Sequence, residues 1–289
     1  MSFLSQEKKM AQKVNSNIFR IEKKKKNNWE SKYIEKTNEE SSLIVFQDLE
    51  IRKFIFRFFN LYSLYISRCQ INRCDDCIML KISFIITINS INYLKKIDNK
   101  ILSRSNNNKV FLSKNFINKF VSTLNVFLNK KYKINIVLQC LNKSLSSRLI
   151  NKEVIEFRKK IINLRVFHKN NYFKDFINLY LLIIKKKFSS KVLSELIAFY
   201  IGQMKKHNGF IHFLKRYLKL IIDFKYSKIK GIKIIIKGRL NGVPRSKSKL
   251  LQVGYLPLQT FNATINYDNS TAYTSDGTIG IKVWICEQV

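Results

Sequence analysis

Residues 231–286 read GIKIIIKGRLNGVPRSKSKLLQVGYLPLQTFNATINYDNSTAYTSDGTIGIKVWIC, and their reading decides the fold. Apolar and polar side chains alternate over Ile232–Lys237, Phe261–Tyr267 and Gly280–Cys286. A period of two is that of a half-buried strand. Turn formers separate these segments: Gly238, Asn241-Gly242, Pro257 and Asp276-Gly277. A small, mostly antiparallel sheet is expected. From Phe224 to Tyr267 there are nine Lys or Arg and no acid. Crowded charges of one sign repel unless something negative lies against them. Arg239, Arg245, Lys247 and Lys249, read as lying on the hairpin loops, are expected to meet that polyanion.

Composition extends this to the whole chain. Its 289 residues allow two domains with cores, and 46% hydrophobic content excludes a disordered polymer. The net charge of +35, from 54 basic and 19 acidic residues, points first to nucleic acid and second to an anionic membrane surface. No apolar run reaches the ~20 residues a membrane-spanning helix needs. The start, MSFLSQEKKMAQK, has no apolar core for a signal peptide. It is also a poor import presequence, with Glu7 present and no Arg before Arg20. The abundance of Lys, Asn, Ile, Phe and Tyr implies adenine- and thymine-rich codons. We read this as a gene carried in an organelle genome, mitochondrion first and plastid second.

The segments GIKIIIKGRLNG, GYLPLQTFNATINY and TIGIKVWI resemble the C-terminal domain of the small-subunit ribosomal protein three family. AQKVNSNIFR (11–20) and WESKY (29–33) resemble the same family's N-terminus, so the likeness reaches both ends. The resemblance implies an α+β chain with an N-terminal type II KH-like domain, a C-terminal α+β domain, and a place where mRNA enters the small subunit. The implied partners are small-subunit rRNA, mRNA and neighbouring ribosomal proteins. Lys13 and Arg20, within the N-terminal match, are expected to contact RNA.

The stretch between the matches divides by pattern. Residues 1–47 read as an extension and basic arm, with four lysines at 23–26. Residues 48–141 read as the KH-like domain. Asp48–Tyr65 carries Ile51, Phe54, Ile55, Phe58, Phe59 and Tyr62 at helical spacing, with Asp48 as its N-cap. Strands follow at Ile66–Arg73 and Ile78–Ile88, a helix at Asn115–Leu128, and a strand at Lys133–Cys140. A KH domain clamps single-stranded RNA with a G-x-x-G turn. No glycine lies between Thr87 and Ser113, the first in the chain being Gly202. The clamp is therefore degenerate. The eleven Lys or Arg and no acid of residues 99–152 suit phosphate contact instead. Residues 142–187 read as a helical insertion, with helices at Lys152–Leu164 and Asn171–Lys186.

Residues 188–289 read as the C-terminal ribosomal domain, opening on helices at Lys191–Ile201 and Phe210–Phe224. In the resembled family the second helix carries F-R-R-x-x-K-R, whose cations line the mRNA channel and aid strand separation. Here the segment is Phe210-Ile-His-Phe-Leu-Lys-Arg216. Lys215 and Arg216 match, Ile211 and His212 replace the arginine pair, and Lys205 and Lys206 lie close enough to compensate. Lys219 follows one turn on. His212 is expected to be partly buried, while remaining a candidate RNA contact.

No catalytic constellation accompanies this charge. Three histidines form no i, i+4 metal pair, and no glycine-rich phosphate loop occurs. Metal-dependent hydrolysis needs convergent acids, which the chain does not supply. Cys69, Cys74 and Cys77 form C-x4-C-x2-C without an evident fourth ligand, so free thiols are expected rather than a metal site. No cofactor is expected. An organellar nuclease or DNA-repair enzyme, and a peripheral membrane protein, are the competing readings.

Overall fold

A computed structural model describes residues 15–20, 29–37, 39–74, 77–91, 114–129, 132–142, 151–184, 189–224, 227–243 and 248–287. Lys13, Arg245 and Lys247, and the stretch where a G-x-x-G turn is missing, lie outside them. Two compact units form, one within 28–188 and the other from 1–27 with 189–289. The helical insertion thus shares a unit with the KH-like stretch, and the N-terminus belongs with the C-terminal domain.

The 28–188 unit is built from β1 (Ser31–Lys32), α1 (Glu40–Leu61), β2 (Tyr65–Arg73), β3 (Cys77–Ile85), α2 (Lys114–Phe127), β4 (Lys133–Cys140), α3 (Asn151–Ile162) and α4 (Tyr172–Ile184). Its strands lie in the order β1-β2-β3-β4. The β2–β3 pair is antiparallel and β3–β4 parallel, with Leu80 between Ile71 and Ile136. One sheet face is apolar: Ile71, Ile78, Leu80, Ile82 and Phe84 are buried against Ile51, Ile55 and Phe59 of α1 and Phe120 of α2. Aromatic rings interlock there, Phe58 and Phe59 lying 5.0 and 5.4 Å from Phe120. Such pairs add to the area they bury.

Helix α1 starts eight residues before the expected Asp48 cap. Leu43, Phe46 and Leu49 in this early half are exposed, so no core periodicity announced it. Asp48 sits buried mid-helix, where its Oδ1 accepts from Arg73 Nε at 2.7 Å and ties α1 to the end of β2. The insertion is more than a self-packed hairpin. The buried Asp175 of α4 accepts a hydrogen bond from Ile88 N at 3.1 Å, just beyond β3. Thr87 and Ser90 cap each other at the same point, at 2.9 and 3.3 Å.

The second unit contains α5 (Ser190–Gln203), α6 (Asn208–Ile222), β5 (Ile229–Lys237), β6 (Ser248–Gly254), β7 (Thr264–Thr274) and β8 (Gly277–Glu287). Its sheet is antiparallel, in the order β6-β5-β8-β7. One face carries Ile232, Ile234 and Ile236 in register with Ile285, Val283 and Ile281, all buried beneath the helices. The expected strands at 232–237 and 280–286 lie inside β5 and β8. The middle one shifts to 264–274, because its polar second half is held by pairing with β8 and by Ser270 Oγ donating to Ser194 O of α5 at 2.7 Å. β6 was read as loop. It is an exposed edge strand whose one ladder among the described residues is with β5, and its side chains announce no core. Gly254 (φ +76°) faces Gly231 in that ladder, where backbones approach so closely that neither position has room for a Cβ.

Glu195 of α5 is half-buried beside Asp268 and Lys191. Burial pushes its pKa up to about 7, helped by the Asp268 carboxylate and opposed by Lys191. A raised carboxyl titrates first in the unfolded chain, so stability falls as pH climbs from about 4.5 to 7 and then levels. Glu195→Gln is expected to stabilise the protein at pH 8 by roughly 1–3 kcal/mol and not at pH 4. Thermal unfolding across pH checks this, and an unchanged difference at both ends would contradict it.

Candidate nucleic-acid interface

Helix α6 owes its position to its apolar stripe. Phe210, Phe213, Leu214, Tyr217, Leu218 and Ile221 are all buried against the sheet. That spacing leaves the opposite face to His212, Lys215, Arg216 and Lys219, at i, i+3, i+4 and i+7, and all four are exposed. His212 is thus a surface residue, against the expectation of partial burial, because it is one step outside the stripe. Ile211 is half-buried and adds nothing to the charged row.

Lys205 and Lys206 stand exposed in the link before α6, and Arg239 stands exposed just after β5. A clasp brings these two loops together. His207 N donates to Asn241 Oδ1 at 2.6 Å, and Asn241 N donates to His207 Nδ1 at 3.3 Å. The buried imidazole's other nitrogen lies 3.2 Å from Ile201 O, which fixes Nε2 as the protonated one. Asn241 Nδ2 also donates to Asn208 Oδ1 at 2.8 Å. Asn241 has φ +55°, a left-handed backbone that Asn tolerates better than most residues. Neither clasp residue was singled out as functional from sequence. The only signal was the turn at Asn241-Gly242. Asn241→Ala, which removes the two side-chain bonds and strains the turn, is expected to cost about 2–3 kcal/mol in urea unfolding.

Lys249 is exposed on β6, opposite Ile236 and hence on the helix-covered side of the sheet's edge. Arg20 does not join the surface. It is 3% exposed, and its guanidinium donates to four backbone carbonyls: Ala263 at 3.0 Å, Ser16 at 2.9 Å, and Leu258 and Thr260 at 2.8 Å. Asn17 Nδ2 donates to Tyr267 O at 3.1 Å beside it. Arg20 is therefore a structural staple rather than an RNA contact. The planar fork meets several carbonyls at once, a geometry that lysine cannot copy.

Nothing in this arrangement is built for bond-making chemistry. Among the described residues no group of three or more His, Cys, Asp or Glu could hold a metal ion, and no helix is long and apolar enough to cross a membrane. Cys69 is buried, Cys74 exposed and Cys77 in between. Burial also pushes the Cys286 thiol up, keeping it protonated. What the surface offers is a set of fixed cations.

Comparison with known proteins agrees with this. Residues 203–285 match the family model "Ribosomal protein S3, C-terminal domain". Small ribosomal subunit protein uS3c of Euglena longa is 28% identical over 276 residues, 96% of this chain and 99% of that protein. The uS3 protein of Neorickettsia sennetsu is 31% identical over 152 residues, 52% of this chain and 66% of the relative. The uS3c protein of Chara vulgaris is 40% identical over 103 residues, 36% of this chain and 44% of the relative. Against this last protein, and against the 46% covered in the uS3 of Endomicrobium trichonymphae, the chain spans less than half of the relative's length. Residues 203–285 thus carry the C-terminal domain of the ribosomal protein S3 family, and over nearly its whole length the chain is similar to a small ribosomal subunit protein uS3c.

Proposed function

We propose that this chain is a structural RNA-binding constituent of an organellar small ribosomal subunit. It holds small-subunit rRNA and lines the channel through which mRNA enters, beside neighbouring ribosomal proteins. The observation that carries this is the exposed row His212, Lys215, Arg216 and Lys219 on a helix whose other face is fully buried. The backbone that carries the row is held by the buried face, so only the side-chain rotamers are left to order when the cations meet phosphates. Lys205, Lys206 and Arg239, clasped at its N-terminal end, extend it. Affinity then comes from phosphate neutralisation and counterion release, and falls steeply with salt.

The KH reading of the other unit is supported by its topology, an antiparallel β2–β3 pair with β4 parallel to β3. The relatives named uS3c support an organelle, and they weigh towards a plastid as much as towards the mitochondrion favoured by composition. Purified organellar ribosomes test the proposal. The chain should sediment with the small subunit and leave it in high-salt washes. Crosslinkers placed on mRNA downstream of the decoding site should reach Lys205, Lys206, Lys215 or Arg216. Sedimentation away from small subunits at low salt would end this reading.

A further inference from the structure

The 28–188 unit has a second surface that the KH groove and the α6 row leave unused. Helices α1 and α2 cover one face of its sheet, and the other is open except at its end, where Tyr65 and Ile85 pair and are buried. Strand alternation is clean: β4 is half-buried at Ile134, Ile136, Leu138 and Cys140 and exposed at every residue between. The cations on this open face are Lys32, Arg68, Lys81 and Lys133, all exposed. Register aligns them with amides. Lys32 lies beside Asn72 and Met79, with Asn135 across β3, and Lys81 lies between Gln70 and Val137. None of β2, β3 or β4 contains an acidic residue. The described acids of this unit fall outside these strands, and Asp75 and Asp76 lie outside the described residues.

Three features identify the occupant. Strands stand about 4.8 Å apart and same-face neighbours along a strand about 7 Å apart, so the cations spread over roughly 15 Å. That is too far for one small anion and suits an extended polyanion. Protein interfaces are depleted in lysine and centred on aromatic residues. This face has four cations, no exposed aromatic residue, and only Met79 and Val137 as exposed apolar side chains, Tyr65 and Ile85 being paired and buried at its end. The amide donors between the cations can bond to phosphate and ribose oxygens, which is the mixture found where proteins hold nucleic acid backbone.

We propose that the open face of the β1–β4 sheet docks folded RNA through its backbone, as a second RNA surface separate from α6. The inference rests on the ribosomal reading above. It gives this unit a phosphate-contact surface that needs no glycine clamp.

The test uses the full-length chain and a transcript of the cognate small-subunit rRNA. One variant combines Arg68→Gln, Lys81→Gln and Lys133→Gln. Its control removes the same charge from the exposed helix side, with Lys53→Gln, Arg57→Gln and Lys119→Gln. Binding is measured against salt. Each lost phosphate contact should flatten the slope of log affinity against log salt by about 0.7–0.9, so the sheet variant should lose roughly 2–3 from it. It should also lose at least about tenfold in affinity at ~0.1 M salt, with under half that slope change in the control. Equal losses in both variants would mean that only net charge matters, and would overturn the proposal. No loss in the sheet variant, while α6 variants still weaken binding, would overturn it and leave the ribosomal role standing. Failure of the unaltered chain to bind any RNA would instead remove that role. A photo-crosslinking residue at position 137, at the centre of the face, gives a second readout in assembled subunits. RNA adducts are expected, and adducts to protein alone would show that a protein docks there.

Discussion

Arg20→Met is expected to lower the unfolding free energy by about 3–5 kcal/mol, among the largest single-residue effects in this protein. Methionine preserves much of the side chain's bulk, so the loss reports hydrogen bonds rather than a cavity. Four donated bonds disappear, to Ser16, Leu258, Thr260 and Ala263. Their carbonyls stay behind, those of Ser16, Leu258 and Ala263 on buried or half-buried residues and that of Thr260 on an exposed one, and Leu258 and Ala263 pack over Ile265, Trp284 and Cys286. Each unsatisfied buried acceptor costs about 1–3 kcal/mol, and partial relaxation of the loop recovers some of the sum. Arg20→Lys should regain only part of the loss, since one ammonium cannot span the same carbonyls. Urea unfolding of the full-length chain measures all three proteins. A change below about 1 kcal/mol in Arg20→Met would show that the staple is dispensable.

The second large effect is on RNA. Combining Lys215→Gln, Arg216→Gln and Lys219→Gln should reduce affinity for small-subunit rRNA by roughly 100-fold at ~0.1 M salt, and flatten the salt slope by about 2–3. All three side chains are exposed and glutamine is a good helix former, so the fold should survive. Unchanged thermal unfolding would establish that. The loss should shrink as salt rises, because the missing term is counterion release. A loss independent of salt would argue for base readout or a folding defect instead. His212→Gln alone should change the slope far less than Arg216→Gln.

Particular elements show where sequence reading succeeds. β4 was read residue for residue, since KINIVLQC alternates cleanly and one of its faces meets a core. α6 was found within two residues at each end because its apolar stripe is nearly complete. The misses share a cause. The first half of α1, the edge strand β6 and the outer half of β7 bury little of their own side chains. A hydrophobic period therefore could not reveal them. The expected RNA contacts Lys215, Arg216 and Lys219 of α6 are exposed, whereas Arg20, named with them, is buried among backbone carbonyls. A basic residue looks the same in sequence whether its partner is a phosphate or a cage of carbonyls.

Charge balance, the order of strands and helices, and kinship with uS3 were all written in the order of residues, because local periodicity and motif depend only on near neighbours along the chain. Which basic side chains reach outward was not. The burial of Arg20, more than 230 residues from the carbonyls of 258–263, the meeting of His207 with Asn241, and the acid-free open sheet all arise from contacts between distant segments. Those contacts exist only once the chain has packed, and packing decides which charges are spent inside and which stay on the surface.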